Sequence, residues 1–310
     1  MASLSEPADA GPVICVLGMH RSGTSLITSA LNLLGVDLGP APHRMTPQPD
    51  NPRGYFEHRL LTDLSEEILV RFDGAWHTPP SFPNGWESTP ALEDLRTRAR
   101  QVLEEDFGST PIWGWKDPRT CLTLPFWQQL LPAMRYVVCV RSPLDVARSL
   151  EARDGFSTAR SVFLWLAYMR GALMHSSGWP RLFVSYDDFI DRCEAEVARM
   201  AAFIGGPAPS EESVQRAVAS IDAALHHHQT TTADLARDAR LSRRVKALYV
   251  SFKLLVESQQ RGAAGDDELV SRMIMLCDHA MQAQTEEQAR LEERIGDLER
   301  AAHDAPKPGI

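Results

Sequence analysis

A chain of 310 residues with 44% apolar and 24% charged residues has the composition of a soluble globular protein of one large or two ordinary domains. Collagen-like, disordered and small disulfide-stapled chains are excluded. The 32 Lys and Arg against 41 Asp and Glu give a net charge of -9, so neither a nucleic-acid partner nor a basic membrane-coating surface is expected, and any anionic ligand must be caught by a few placed cations.

Five cysteines (Cys15, Cys121, Cys139, Cys193, Cys277) are widely spaced with no CxxC pair and read as reduced, buried thiols. Residues 1–12 have neither a positive n-region nor an apolar core and read as a disordered N-terminus. No apolar run approaches the length of a membrane span, so no transmembrane segment is expected and the expected location is cytoplasmic.

Val13-Ile-Cys-Val-Leu17 is a β-branched run ending at Gly18, the pattern of a buried parallel strand. After Gly23, apolar residues at Leu26, Ile27, Ala30, Leu31 and Leu34 form a helical stripe stopped by Gly35. Residues 37–54 are rich in Pro and Gly and predict a long loop, of the kind that usually serves function. Helices are predicted over 60–72 and 91–107, with a second Pro, Gly and Trp-rich loop over 76–90 between them. Strands follow at 112–115 and 136–140, helices at 143–153 and 159–175, a strand at 182–185, and a helix over 188–204 stopped by Gly205-Gly206. Beyond residue 210 only helical signal remains.

Strands separated by helices predict an α/β fold, a doubly wound and mainly parallel sheet followed by a helical C-terminal region. The expected organisation is a core over 13–206, a helical extension packed on it over 207–265, and a C-terminal helix with a short tail over 266–310. Along that helix apolar or small residues recur at Val270, Ile274, Cys277, Met281, Leu291, Ile295, Leu298 and Ala302, with Gln284 and Gln288 interrupting. This heptad seam suits packing on its own domain or a coiled-coil homodimer, and the spacing leaves both open.

Two segments carry chemistry. Gly18-Met-His-Arg-Ser-Gly23-Thr24-Ser25 lies between the first strand and first helix, where a glycine turn and helix N-terminus offer backbone N–H groups to an anion. It is a P-loop-like phosphate cradle, but Thr24 stands where a nucleotide-triphosphate P-loop has lysine. Arg141-Ser-Pro-Leu-Asp-Val-Ala-Arg-Ser149 follows the strongest strand and places Arg141 at its carboxyl end, where open α/β sheets bind ligands. An arginine fork with a hydroxyl can hold a second phosphate. A surface ion pair is the alternative for Arg141, and a purely structural glycine turn the alternative for the cradle.

The two motifs together resemble the sulfotransferases that use 3′-phosphoadenosine 5′-phosphosulfate (PAPS). Trp115-Lys-Asp-Pro-Arg119 and Leu182-Phe-Val-Ser-Tyr-Asp-Asp-Phe189 are similar to further family segments, and the resemblance covers residues 13–206. It implies that Ser22, Gly23, Thr24 and Ser25 bind the 5′-phosphosulfate, that Arg141 and Ser149 bind the 3′-phosphate, and that Tyr186 contacts adenine. Arg21 stands where many members have lysine; it retains the charge but not an easily released proton. Lys116 is implied as a second cation near the transferred group, against the alternative of a surface pair with Asp117. The base that takes the acceptor proton is sought among Glu57, His58 and Asp117. Glu57 leads because related carbohydrate and tyrosyl sulfotransferases place a glutamate after the first helix; its alternative is a place in the first turn of the next helix.

The implied partner is a hydroxyl-bearing acceptor, a carbohydrate or glycolipid, and no metal is implied. The aromatic residues Tyr55, Phe56, Trp76, Phe82 and Trp86 are candidates for stacking on it, with a core role as the alternative. His226-His-His228 does not converge on one ion, because successive helical residues point about 100° apart. Two other readings stand beside the enzyme: a P-loop nucleotide kinase, disfavoured by Thr24, and a catalytically silent PAPS-binding scaffold.

Overall fold

The structure, a computed structural model, describes residues 12–46, 54–221, 230–263 and 267–304, with side chains as far as residue 295. Most of the N-terminus expected to be disordered, the centre of the 37–54 loop, His226-His-His228 and the far end of the heptad seam lie outside the described side chains.

Four strands, β1 (Val13–Leu17), β2 (Trp113–Lys116), β3 (Met134–Val140) and β4 (Arg181–Ser185), form one sheet in the order β2-β1-β3-β4. Every neighbouring pair is parallel, with Cys15 opposite both Trp115 and Tyr136. Both faces of these strands are covered, which is why they read as unbroken apolar runs. Cys15, Leu17, Trp115, Tyr136, Val138 and Phe183 point into one core layer, while Ile14, Val16, Val137, Cys139 and Val184 point into the other. The fold is the expected α/β, doubly wound parallel sheet with a helical C-terminal region.

The second layer is closed by α1 (Thr24–Leu33), α8 (Cys193–Ile204) and α9 (Glu211–Ala219). The first is closed by α2 (Arg59–Arg71), α3 (Glu93–Phe107), α4 (Thr120–Gln128), α5 (Pro143–Asp154) and α6 (Thr158–His175). It extends into α10 (Thr232–Arg237), α11 (Arg243–Gln260) and α12 (Asp267–Asp304), whose buried residues belong to the same cluster. No described helix is long and apolar enough to cross a membrane.

The pattern reading misses α4. Seven of its nine residues are buried, so it shows no polar face, and Pro125 within it reads as a break. The missing proline N–H frees the Cys121 carbonyl, and there α6 crosses at Gly171, where an added Cβ would stand 2.2 Å from that oxygen. Gly171→Ala is therefore expected to cost about 1–3 kcal/mol by overpacking, read as a lowered midpoint in denaturant.

The helix expected over 188–204 is two helices. Ser185 Oγ accepts the Asp188 N–H at 3.4 Å, so α7 (Tyr186–Asp191) begins directly on β4. Arg192, at φ -131°, separates it from α8.

The seam of α12 divides in the same manner. Of the seam, Val270 and Cys277 are buried against α6 and α11 of the same chain, with Met273 and Ala280 buried beside them, and Ile274 and Met281 are partly buried on the same core, whereas Leu291 and Ile295 are exposed. Its first half is thus intramolecular.

Candidate active site

The cradle begins where β1 ends. Gly18 (φ +146°) and Gly23 (φ +86°) adopt conformations that favour glycine, and the Gly18 N–H is held by Cys121 Sγ at 3.1 Å. A Cβ on Gly23 would lie 2.2 Å from the Tyr186 ring, so the backbone here runs directly beneath that tyrosine. Arg21 is also left-handed, at φ +68°, a strained conformation for a branched-out cationic side chain of the kind found at binding sites. Gly23→Ala is expected to displace Tyr186 and lower stability by about 1–3 kcal/mol, read as a lowered midpoint in denaturant.

The two sequence motifs meet. Arg141 Nη1 donates to the Arg21 carbonyl at 2.8 Å, and Arg21 Nε donates to Ser149 Oγ at 2.8 Å. The Arg141 guanidinium stands 4.3 Å from the centre of the Tyr186 ring. Trp165 Nε1 donates to the Arg141 carbonyl at 3.2 Å and fixes the chain at the end of β3. Arg141 Nε and Ser22 Oγ are buried with no partner in the protein, which is the expected condition of donors that await a ligand.

Lys116 and Glu57 form a second centre. Lys116, 2% exposed, donates to Glu57 Oε1 and, at 3.2 Å, to Ser25 Oγ. It is not the surface partner of Asp117. Glu57 Oε2 is buried and without a partner. Burial raises the Glu57 carboxyl above its usual range, and the Lys116 charge and hydrogen bond pull it partly back. Glu57 lies before α2 and not in its first turn, because His58 is the N-cap. Phe56, at φ +59°, bends the chain to present it.

Neither of the other two base candidates is among the residues that line the cleft with Glu57, although Asp117 Oδ2 is also buried without a partner. Asp117 Oδ1 accepts from the Arg119 N–H and Nη1, each at 3.1 Å. Asp106 Oδ2 lies 2.9 Å from His58 Nε2 and 2.6 Å from His43 Nδ1. These three residues have the composition of a metal site. However, His58 Nδ1 accepts the Leu61 N–H at 3.4 Å, which puts the ring proton on Nε2, the atom an ion would need.

Both centres open on one cleft of about 1000 Å³. Six cations line it, Arg21, Lys116, Arg119, Arg141, Arg148 and Arg153, against Glu57, Asp145 and Asp154. A chain of net charge -9 thus gathers positive charge at one place. Tyr55, Phe56 and Trp76 line the cleft. Phe82 and Trp86 stack at 4.1 Å beside Phe72 and are core anchors. Arg119, Arg148, Arg153 and His20 escape the sequence reading; for Arg119 the signal was its position three residues past the end of β2, and for His20 its place inside the cradle.

The model of the sulfotransferase family matches residues 12–210. Similar solved structures include sulfotransferase STF1 from Mycobacterium tuberculosis H37Rv, 16% identical over 77% of each chain with a TM-score of 0.44. The sulfotransferase domain from the curacin biosynthetic pathway is 15% identical over 84% of this chain and 100% of that one, TM-score 0.44. Retinol dehydratase in complex with androsterone and inactive cofactor PAP is 14% identical over 86% and 80%, TM-score 0.39. No curated protein matches. With the family match running from β1 to the residue before α9 and taking in both the 18–25 and the 141–149 segments, the chain belongs to the sulfotransferase family.

Proposed function

We propose that this sulfotransferase takes its sulfuryl group from PAPS and passes it to a hydroxyl of a carbohydrate or glycolipid. The observation that carries the reading is the convergence of Arg21, Arg141, Ser149 and Tyr186, from three separate segments of the chain, on a cradle whose Ser22 Oγ and Arg141 Nε are buried without partners. Such a set suits a ligand with phosphates at two positions and an aromatic base.

In this reading the turn of Ser22, Gly23, Thr24 and Ser25 at the start of α1 holds the 5′-phosphosulfate. Arg141 and Ser149 hold the 3′-phosphate, and Tyr186 meets the adenine. Arg21 has its backbone in the cradle and its guanidinium on Ser149, so it spans the two phosphate positions. PAPS, when bound, supplies a sulfuryl group activated by its link to phosphate. Glu57 Oε2 accepts the hydroxyl proton of the acceptor. Lys116, between Glu57 Oε1 and Ser25 Oγ, places its charge where base and cradle meet. As in phosphoryl transfer, positioning and charge dominate over covalent chemistry.

Adenosine 3′,5′-bisphosphate is expected to raise the melting temperature of the protein while ATP does not. Stabilisation by ATP alone would favour the kinase reading. Release of bisphosphate only when an acceptor is present separates an enzyme from a silent scaffold.

The exposed Leu291 and Ile295 are the part of the seam proposed to pair with a second copy. Light scattering is expected to give a mass above the monomer for the full chain and the monomer mass for Leu291→Glu/Ile295→Glu. Equal masses contradict the pairing.

A further inference from the structure

The donor reading leaves His20 without a role. This residue sits between Met19 and Arg21 in the cradle and lines the cleft, yet its Nε2 is buried with no partner in the protein. Its ring is held on two sides, 4.6 Å from the centre of Trp76 and 5.7 Å, edge-on, from Tyr168. The Tyr168 hydroxyl donates to the Trp76 carbonyl at 2.7 Å, which locks the two neighbours together. Trp76 is backed by Phe156, stacked at 5.8 Å, and by the Arg153 guanidinium at 5.3 Å. The imidazole is therefore fixed in direction, and a polar nitrogen so fixed and buried requires a partner from the ligand.

Neighbouring groups narrow what that partner is. Burial, and then the charges of Arg119, Arg153, Lys116 and Arg21, hold the His20 pKa well below its ordinary value, so the ring is neutral. The same four cations disfavour an ammonium group at this place. A neutral imidazole offers either a donor or an acceptor at Nε2 according to its tautomer, and a hydroxyl serves both. Trp76 beside it presents an aromatic surface of the kind on which a sugar ring lies.

Resting on the sulfuryl-transfer reading of the cleft, we infer that His20 Nε2 hydrogen-bonds a hydroxyl of the acceptor while the acceptor ring lies against Trp76. His20 is then a specificity-determining residue on the acceptor side of a loop whose backbone serves the donor. Glu57 remains the group that takes the reacting proton.

The test uses His20→Ala, His20→Phe and His20→Gln in the full chain, with two readouts: calorimetric affinity for adenosine 3′,5′-bisphosphate, and transfer from radiolabelled PAPS to maltooligosaccharides and octyl glucoside. Phenylalanine keeps the ring packing against Trp76 and Tyr168 and removes only the nitrogen, so it answers even if the alanine variant folds poorly. Both are expected to raise the KM for the acceptor roughly ten- to a hundredfold with bisphosphate affinity unchanged. Glutamine, whose amide can donate or accept, is expected to restore most of the loss. An unchanged acceptor KM in His20→Phe overturns the inference, and so does a parallel loss of bisphosphate affinity, which would make His20 part of the donor cradle. Failure of the wild type to bind the bisphosphate is a separate result and overturns the donor reading itself.

Discussion

Glu57→Gln is expected to lower kcat by about 10²-fold or more while leaving the affinity for adenosine 3′,5′-bisphosphate unchanged. The substitution keeps the shape of the side chain and a carbonyl oxygen for Lys116, so the fold and the cradle are retained. Under the proposed reading it removes the acceptance of a proton at Oε2, an oxygen that is buried without a partner in the protein. The pH dependence follows from the same geometry. Burial raises the Glu57 pKa, and the base works only when deprotonated, so activity rises with pH along an acidic limb centred above the ordinary value of 4.5. Lys116 opposes that rise, so Lys116→Ala is expected to move the limb to still higher pH as well as slowing transfer. A limb that stays in place on loss of Lys116, or near-normal turnover in Glu57→Gln, contradicts the assignment.

Arg141→Ala carries the largest expected effect on binding. The side chain donates to the Arg21 carbonyl, packs its guanidinium over Tyr186 and keeps Nε for a ligand. Its loss is expected to cost on the order of 2–3 kcal/mol of bisphosphate affinity, roughly 30- to 150-fold in Kd. Lysine at this position restores charge but neither the planar fork nor the stacking, so Arg141→Lys is expected to recover only part of it. Calorimetry on the folded variants decides, and an unchanged Kd for Arg141→Ala removes it from the 3′-phosphate site.

The parts of this site that are legible in the sequence are those encoded locally. A β-branched run, a glycine turn and a helical stripe follow one another over residues 13–35, and the periodicity alone is enough to place the cradle. Arg141 is legible in the same way, as the residue that ends the strongest strand. The choice among Glu57, His58 and Asp117 is not local. It depends on Asp106, 48 residues beyond His58, which holds the histidine ring, and on which of the three side chains the fold brings to the lining of the cleft, where Glu57 stands. The helix α4 is hidden because a helix buried on all sides shows no amphipathic period. His20 is hidden for another reason: its neighbours Trp76 and Tyr168 come from a loop and a helix far along the chain, and only their packing shows that its nitrogen is left to the cleft.

The most direct measurement incubates the protein with radiolabelled PAPS and glycan or glycolipid acceptors and follows both products. The account predicts that label appears on the acceptor in step with released adenosine 3′,5′-bisphosphate, and that Glu57→Gln slows both by about 10²-fold or more while still binding the bisphosphate. A protein that neither binds the bisphosphate nor consumes PAPS, with ATP bound in its place, would contradict it.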